Sequence, residues 1–473
     1  MKRFTGDKYC GIIMYSYNYR LYKEAGMQEE NISAIATASG RGGVAIIRVS
    51  GATALALAEK MFNPVGKVKV RSFEPYRMYP GTIDGGSFTD FGLCVYFKAP
   101  ASYTGEDIVE FHCHGGETLA RGILKQTFRL GARSATRGEF TKRAFLNGKL
   151  SLSSAEGVAD MINGESDAEV KAGFLLYSEK LTKAVVALQA ELKTLLAGID
   201  VSVDYPEEDI EEQHIEELKT ALFALSEKLQ NLLAGYATGK KIKSGVTVAI
   251  CGKPNTGKSS LLNTLLGYEK AIVSDIAGTT RDAVEGCIEI KGRKFNLYDT
   301  AGVRESGDRI ETIGIERAEA IIKASDVAVF VADSSRAFDE EDGRVLDMLK
   351  GKPLIKVVNK IDLTGDDTET DADVHTSAVT GEGIVKLKEL LYEKGFCDGS
   401  EDTAFLIEER HYDALRRSRD ALVRAIQACE AGQPLDLIGI DVKAGWDALG
   451  EITGETATEA IIQEIFSKFC VGK

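Results

Sequence analysis

The sequence contains no CxxC pair. Its eight cysteines (Cys10, Cys94, Cys113, Cys251, Cys287, Cys397, Cys429 and Cys470) are scattered along 473 residues. That spacing argues against a zinc knuckle or a disulfide framework and reads as a reduced, cytoplasmic chain. Long hydrophobic runs are missing too. No apolar stretch reaches the roughly 18 residues of a membrane-crossing helix, so no membrane partner is expected. The basic opening "MKRFTGDKYCGIIMYSYNYRLYK" lacks the continuous apolar segment of a secretory signal. Positive charge is in deficit. With 58 Lys and Arg against 72 Asp and Glu, the formal net charge is -14. This argues against bulk nucleic-acid binding and leaves room for a local basic patch that reads one folded RNA. No internal repeat or low-complexity segment stands out. The one cluster of soft ligands, His112 to His114, would alternate across a strand, with Cys113 on the opposite face from the two histidines; no metal is expected there.

What is present is an ordinary globular composition, 44% hydrophobic and 27% charged, long enough for about two to four domains. Residues 1–30 read as an N-terminal extension. Residues 1–26 are expected to be unstructured or a start-codon artefact, with Met27 the better start. Residues 31–146 mix strand-like "GGVAIIRVSG" and "FGLCVYF" with helix-like "ATALALAEKMF" and "GETLARGILKQTFRL", an α+β domain. From 147 to 243 the apolar residues fall at helical steps, among them Leu181, Val185, Leu188, Leu192, Leu195 and Ile199. An acidic turn, Asp204 to Asp209, interrupts them. Residues 244–397 alternate strands and helices, and 398–473 return to helix. The expected fold class is multidomain, α/β and all-α. A P-loop domain with a doubly wound, mostly parallel sheet is inserted in a helical domain whose two halves pack together.

"GKPNTGKSS", Gly252 to Ser260, follows the apolar "VTVAIC" and precedes the helix-like "LLNTLL". It matches GxxxxGK[ST]. Backbone N–H groups of such a loop close around phosphate oxygens, Lys258 faces the β- and γ-phosphates, and Ser259 offers a hydroxyl to Mg2+. Downstream, "DTAG" (Asp299, Thr300, Ala301, Gly302) ends a strand; Asp299 suits the Mg2+ shell and Gly302 the γ-phosphate. "NKID" (Asn359, Lys360, Ile361, Asp362) ends another. The Asp362 carboxylate can accept both N–H donors of guanine, and adenine offers no such pair. Ser377, Ala378 and Val379 supply the loop beside the guanine oxygen. The order of these motifs identifies a GTP site. Ras-like GTPases place a water-orienting Gln after DxxG. Here Val303 stands there, so another group must orient the water.

Taken together, "GRGGVAIIRVSG" (40–51), "TGEDIVEFHCHGG" (104–116), "RGEFTKRAFLNGKLSLSSAEGVADMI" (137–162), "DIAGTTRD" (275–282), "DTAGVRE" (299–305), "ERAEAI" (316–321) and the terminal "FCVGK" resemble one family, MnmE (TrmE), from about residue 31 onward. The resemblance implies a homodimeric GTPase whose G domains activate by pairing across the dimer. It implies a partner, MnmG, which uses FAD and NADH, in a heterotetramer of two plus two. Together they place an aminomethyl or carboxymethylaminomethyl group on C5 of the wobble uridine of certain tRNAs. A tetrahydrofolate derivative, of the 5-formyl or 5,10-methylene type, supplies the one-carbon unit.

The nucleotide residues implied are Asn255, Thr256, Gly257, Lys258, Ser259 and Ser260, then Ser274, Asp275, Ile276, Ala277, Gly278, Thr279 and Thr280, with the DTAG, NKID and Ser377–Val379 residues above. K+ would be held by Asn255, Ser274, Ile276 and Thr279, and Mg2+ by Ser259 and Thr280. Glu311 matches the family's water-orienting glutamate. Arg48, Glu110, Lys149 and Lys473 match its folate site. Cys470 matches a cysteine important for the modification, implying a catalytic thiol. On residues alone, the tail "CVGK" fails as a lipidation signal. A buried Cys470 on the helix marked by Phe466 and Phe469 stays open beside a thiol activated by Lys468 and Lys473. Arg133, Arg137, Lys142 and Arg143 form a basic stretch that either meets RNA phosphate or is simply solvated. The rival readings are a ribosome-assembly GTPase of the Era or Der type and a dimerising scaffold that uses GTP only as a switch.

Overall fold

The computed structural model describes residues 30–204, 212–267, 286–300, 319–364, 371–396 and 408–473. The chain divides into two compact units. One takes in the residues up to Ala159 with Leu176–Phe223 and Asp420–Lys473; the other takes in Asp160–Leu175 and Ala224–Arg419.

The first unit opens with β1 (Ile32–Ile35), β2 (Val44–Ser50), α1 (Ala54–Met61), β3 (Phe62–Pro64), β4 (Met78–Asp84), β5 (Thr89–Phe97), β6 (Ile108–His114), α2 (Glu117–Arg129), β7 (Arg133–Ser134) and α3 (Glu139–Leu146). The strands form one seven-stranded sheet in the order β3-β4-β5-β6-β2-β1-β7. Every pairing is antiparallel except β1 with β7. Alternation does the sorting. Ala45, Ile47 and Val49 of β2 enter the core with Phe111 and Cys113 of β6. Arg48 and Glu110 lie directly opposite one another on the other face. Each fully buried large apolar side chain here, such as Ile47 or Phe111, contributes about 1.5–3 kcal/mol of transfer free energy.

Four helices follow: α4 (Leu152–Asn163), α5 (Asp167–Tyr177), α6 (Lys180–Asp204) and α7 (Glu212–Ala234). The helical stretch expected from 147 to 243 is thus built of separate helices. Glu179 takes a left-handed φ of 64°, which ends one helix and restarts the chain as another. On α6 the residues Leu181, Val185, Leu188, Leu192 and Ile199 are buried. Their stripe packs against α14 (below), where Gly439 sits close to the Ile199 side chain.

The second unit continues with α8 (Tyr236–Ser244), β8 (Val246–Cys251), α9 (Lys258–Gly267), β9 (Gly286–Ile290), β10 (Arg293–Asp299), β11 (Val327–Asp333), α10 (Glu340–Met348), β12 (Leu354–Asn359), α11 (Ile361–Thr364), β13 (Val374–Thr376) and α12 (Ile384–Gly395). The six strands run in the order β13-β12-β11-β8-β10-β9. All pairs are parallel except β9 with β10. Val246, Val248, Ala249, Ile250 and Cys251 of β8 are all buried, as expected for a central strand covered on both faces. Long helices close the chain: α13 (Glu409–Glu430), α14 (Leu435–Thr453) and α15 (Glu459–Ser467). Among the described residues no helix is long and apolar enough to cross a membrane.

Candidate nucleotide site and a second site at the C-terminal tail

The phosphate loop runs from the end of β8 to the start of α9. Gly252 takes a φ of 151°, and a Cβ there would strike the Val331 carbonyl oxygen. Asn255 and Gly257 are both left-handed, with φ of 66° and 89°. Such alternation turns successive N–H groups toward one point, the geometry of an anion nest. Thr256 is buried, and its hydroxyl donates to Lys253 O at 3.0 Å. Lys258 is buried at the first turn of α9, with Nζ 2.5 Å from Lys253 O. Ser259 Oγ donates to Asp299 Oδ2 at 2.6 Å. Asp299, at the end of β10, is itself buried. A hydroxyl and a carboxylate in this pairing fit a Mg2+ that carries the nucleotide phosphates. Thr300 bonds back to Ile250 O through both its N–H and its hydroxyl, and Ser260 is exposed at the start of α9.

The NKID residues leave β12 at the same sheet edge. Buried Asn359 donates through Nδ2 to Thr256 O at 3.0 Å and accepts from the Ala378 N–H at 3.2 Å, so it ties the phosphate loop to the base loop. Lys360 Nζ donates to Asn255 O at 2.6 Å and to Asp333 Oδ2 at 2.7 Å. Burial alone would raise the Asp333 carboxyl, but Lys360 and Ser335 outweigh it and hold it below its ordinary value. Ile361 is buried beneath the loop. Asp362 accepts from Ser377 Oγ at 2.6 Å, Thr264 Oγ1 donates to Ala378 O at 2.8 Å, and Val379 is 84% exposed. The structure thus brings the phosphate-loop, Asp299, NKID and Ser377–Val379 residues together. Ser274, Asp275, Ile276, Ala277, Gly278, Thr279, Thr280, Ala301, Gly302 and Glu311 lie outside the described residues, as does the stretch 1–29.

The tail site is in the first unit. Beyond α15 the chain makes an isolated bridge from Val471 to Arg137. The Gly138 N–H donates to Cys470 O at 3.4 Å, and the Phe140 N–H to Lys473 O at 3.2 Å. Gly472, with φ of 100°, lies against the Ile35 carbonyl, where a Cβ would collide. Arg48 Nη1 donates to Gly472 O at 3.3 Å, while its Nε donates to Glu110 Oε1 at 2.7 Å. The guanidinium also lies over the rings of Tyr103 and Phe140, 5.9 and 5.7 Å from their centroids. Burial alone would raise the Glu110 carboxyl, but the His112 ring and Arg48 outweigh it, so it stays anionic well below neutral pH. His112 Nε2 sits 3.4 Å from Glu110 Oε2, off the hydrogen-bonding direction. Lys149 Nζ donates to Pro100 O at 2.8 Å, on the loop that also carries Tyr103.

Two readings left open are narrowed. Cys470 is exposed, not buried; Phe466 and Phe469 fill the apolar cluster with Phe145, Leu152 and Ile462 and leave the thiol outside it. The basic stretch is neither a solvated face nor an open RNA surface throughout. Arg143 is 4% exposed and pairs with Glu106 at 2.9 Å and Glu139 at 3.2 Å. Arg133 pairs with Glu139 at 2.5 Å and Glu30 at 2.9 Å, and Lys142 with Glu459 at 3.1 Å. These cations already have carboxylate partners. Sequence spacing also missed Asp333, Tyr103 and Phe140. Each lies far along the chain from the residue it touches; Asp333 and Tyr103 stand outside the quoted motifs, and Phe140 stands in one without a role read from it.

A family model described as the GTP-binding protein TrmE N-terminus matches residues 31–149, and one described as the MnmE helical domain matches residues 152–470. The chain belongs to the MnmE family. The tRNA modification GTPase MnmE of Alkaliphilus metalliredigens is 38% identical over 462 residues, which is 94% of this chain and 99% of that protein. The MnmE of Acetivibrio thermocellus is 39% identical over 460 residues, covering 94% and 100%. Among solved structures, a variant of Era from Aquifex aeolicus bound to GDP·AlF4- is 28% identical. It covers 37% of this chain and 66% of its own, with a TM-score of 0.26. In keeping with family and site, the chain is a GTP hydrolase of the tRNA modification class, and Mg2+ accompanies its nucleotide.

Proposed function

We propose that this chain hydrolyses GTP in a K+-dependent reaction between the paired G domains of a homodimer, and that hydrolysis serves tRNA modification. With MnmG, in a two-plus-two complex that brings the FAD, it adds an aminomethyl or carboxymethylaminomethyl group to C5 of uridine 34, in the cytoplasm. The observation that carries this reading is Asn255. It is an asparagine held left-handed in the phosphate loop, at the position the family uses for K+, in a chain without a glutamine after DTAG.

In this reading Lys258 faces the β- and γ-phosphates, Ser259 and Thr280 hold Mg2+, and Asn255, Ser274, Ile276 and Thr279 hold K+. A monovalent cation bound there neutralises charge that develops on the phosphates during transfer. Glu311 orients the attacking water. Asp362, with Ser377 turned onto it, reads guanine. The working division is an extension at 1–30, a folate-binding and dimerising domain at 31–146, a G domain at 244–397, and a helical domain from 147–243 and 398–473.

The folate derivative is assigned to Arg48, Glu110, Lys149 and Lys473. Support comes from an anionic Glu110, matched to pterin N–H donors, beside the docked tail. Cys470, exposed next to that tail, is the assigned thiol of the modification chemistry.

Turnover of purified protein in KCl against NaCl, with wild type and Glu311→Ala, tests the proposal. Hydrolysis should require K+ and be lost in Glu311→Ala, while GTP binding survives in both. Equal turnover in sodium by a monomer would overturn it. Mass spectrometry of wobble uridines from a deletion strain, with and without this gene, tests the modification.

A further inference from the structure

Lys253 is the second residue of the phosphate loop and fills a variable position of its motif. Its side chain is only 12% exposed, and its Nζ stands 2.7 Å from Asp339 Oδ2 and 2.6 Å from Asp342 Oδ2. Both carboxylates sit at the start of α10. Asp339 is the N-cap and accepts from the N–H groups of Glu341 and Asp342, and Asp342 accepts from the Asp339 N–H. The Asp342 side chain is 4% exposed, and its second oxygen is buried without a hydrogen-bond partner among the described residues. A carboxylate so placed depends on its cation far more than a surface pair does.

The lysine's own main chain is tied as tightly. Lys253 O accepts from Thr256 Oγ1 and from Lys258 Nζ. Pro254 follows and fixes its own φ, so little slack separates Lys253 from Asn255. On the far side, Asn255 O accepts from Lys360 Nζ, which is itself paired with Asp333. The left-handed asparagine is therefore clamped from two directions, by Lys253 anchored on α10 and by Lys360 anchored on β11.

We infer that Lys253, with Asp339 and Asp342, is a positioning device for Asn255 that sets how well the site takes its monovalent cation. The inference rests on the K+ reading of Asn255. A helix-capping ion pair alone would stabilise α10 and leave the cation response unchanged; a positioning role changes the K+ requirement itself.

K+ titrations of GTP turnover at saturating GTP and Mg2+ separate the two. In Lys253→Met the K+ concentration for half-maximal turnover should rise about tenfold, as when a group supporting a cation ligand is lost, with GTP affinity near wild type. Lys253→Arg should restore the wild-type midpoint. Asp339→Asn, at an exposed carboxylate, should shift it in the same direction by less, and serves if Lys253→Met does not fold. Midpoints matching wild type in Asp339→Asn and in folded Lys253→Met would overturn the inference and leave a structural ion pair. A wild-type protein equally active in sodium would overturn the K+ reading, and this inference with it.

Discussion

At the phosphate loop most of the converging groups are main chain. The left-handed turns at Asn255 and Gly257 and the first turn of α9 present N–H groups, and side chains such as Asn359 and Lys360 brace the loop by gripping its carbonyls. At the tail site the converging groups are charged side chains on facing strands, with Arg48 shared among Glu110, Gly472 O and two aromatic rings. The first kind of site is fixed by backbone shape, tolerates little substitution at its glycine, and is indifferent to modest changes of pH. The second kind is fixed by charge balance. Its neighbours form a half-buried network around Arg143, Glu106 and Glu139.

The comparison can be broken first at Gly252. Gly252→Ala places a Cβ against the Val331 carbonyl at a backbone angle that L-residues avoid. GTP affinity should fall by about a hundredfold or more, the equivalent of roughly 3 kcal/mol of strain. A fluorescent nucleotide titration reads it, and near-wild-type binding would mean that the backbone does not define this site.

Next comes Arg143, the buried cation near the other site. Arg143→Met leaves Glu106 and Glu139 with a partner missing. It should destabilise the protein by about 3–5 kcal/mol, measured by urea denaturation, while nucleotide affinity of the folded fraction holds.

The smallest effect is the pH dependence of Glu139. Burial would raise its carboxyl, but Arg133, the Thr136 N–H and Arg143 together bring it down to about 2 from 4.5. Because the folded value is depressed, the stabilisation is complete above pH 4.5 and drains away as pH falls toward 2. Denaturation at pH 6 and pH 4 should show a loss of stability that is smaller in Glu139→Gln than in wild type. Equal losses would show that the network does not feel this titration.

The two regions also differed in how far the sequence alone could be read. The phosphate loop was legible because its parts are contiguous: directly after an apolar strand, Gly252 to Ser260 hold the turn and the start of the helix within nine residues. Asp299 and Asn359 were legible because each ends an apolar strand, and Asp362 because it follows Asn359 in one short motif. Asp333 also ends such a strand, yet its tie to Lys360 needed β11 and β12 to be neighbours, which spacing does not reveal. The pairing of Arg48 with Glu110 needed the register of β2 against β6. The burial of Arg143 was hidden because charged residues near one another in sequence look like a surface, and only the fold brings Glu106 to it. The break at Glu179 carried no glycine or proline to announce it.

The contact between Arg48 and the Gly472 carbonyl spans 424 residues of chain. At a synthesis rate of about 5–20 residues per second, the strand bearing Arg48 leaves the ribosome roughly 20–85 seconds before the carbonyl that will meet it. Within that interval Glu110, 62 residues on, and the aromatic neighbours follow Arg48 long before the tail does. Completion of this site is thus a late event in the life of each molecule, a built-in delay between the birth of the first sheet and the seating of the cysteine-bearing segment.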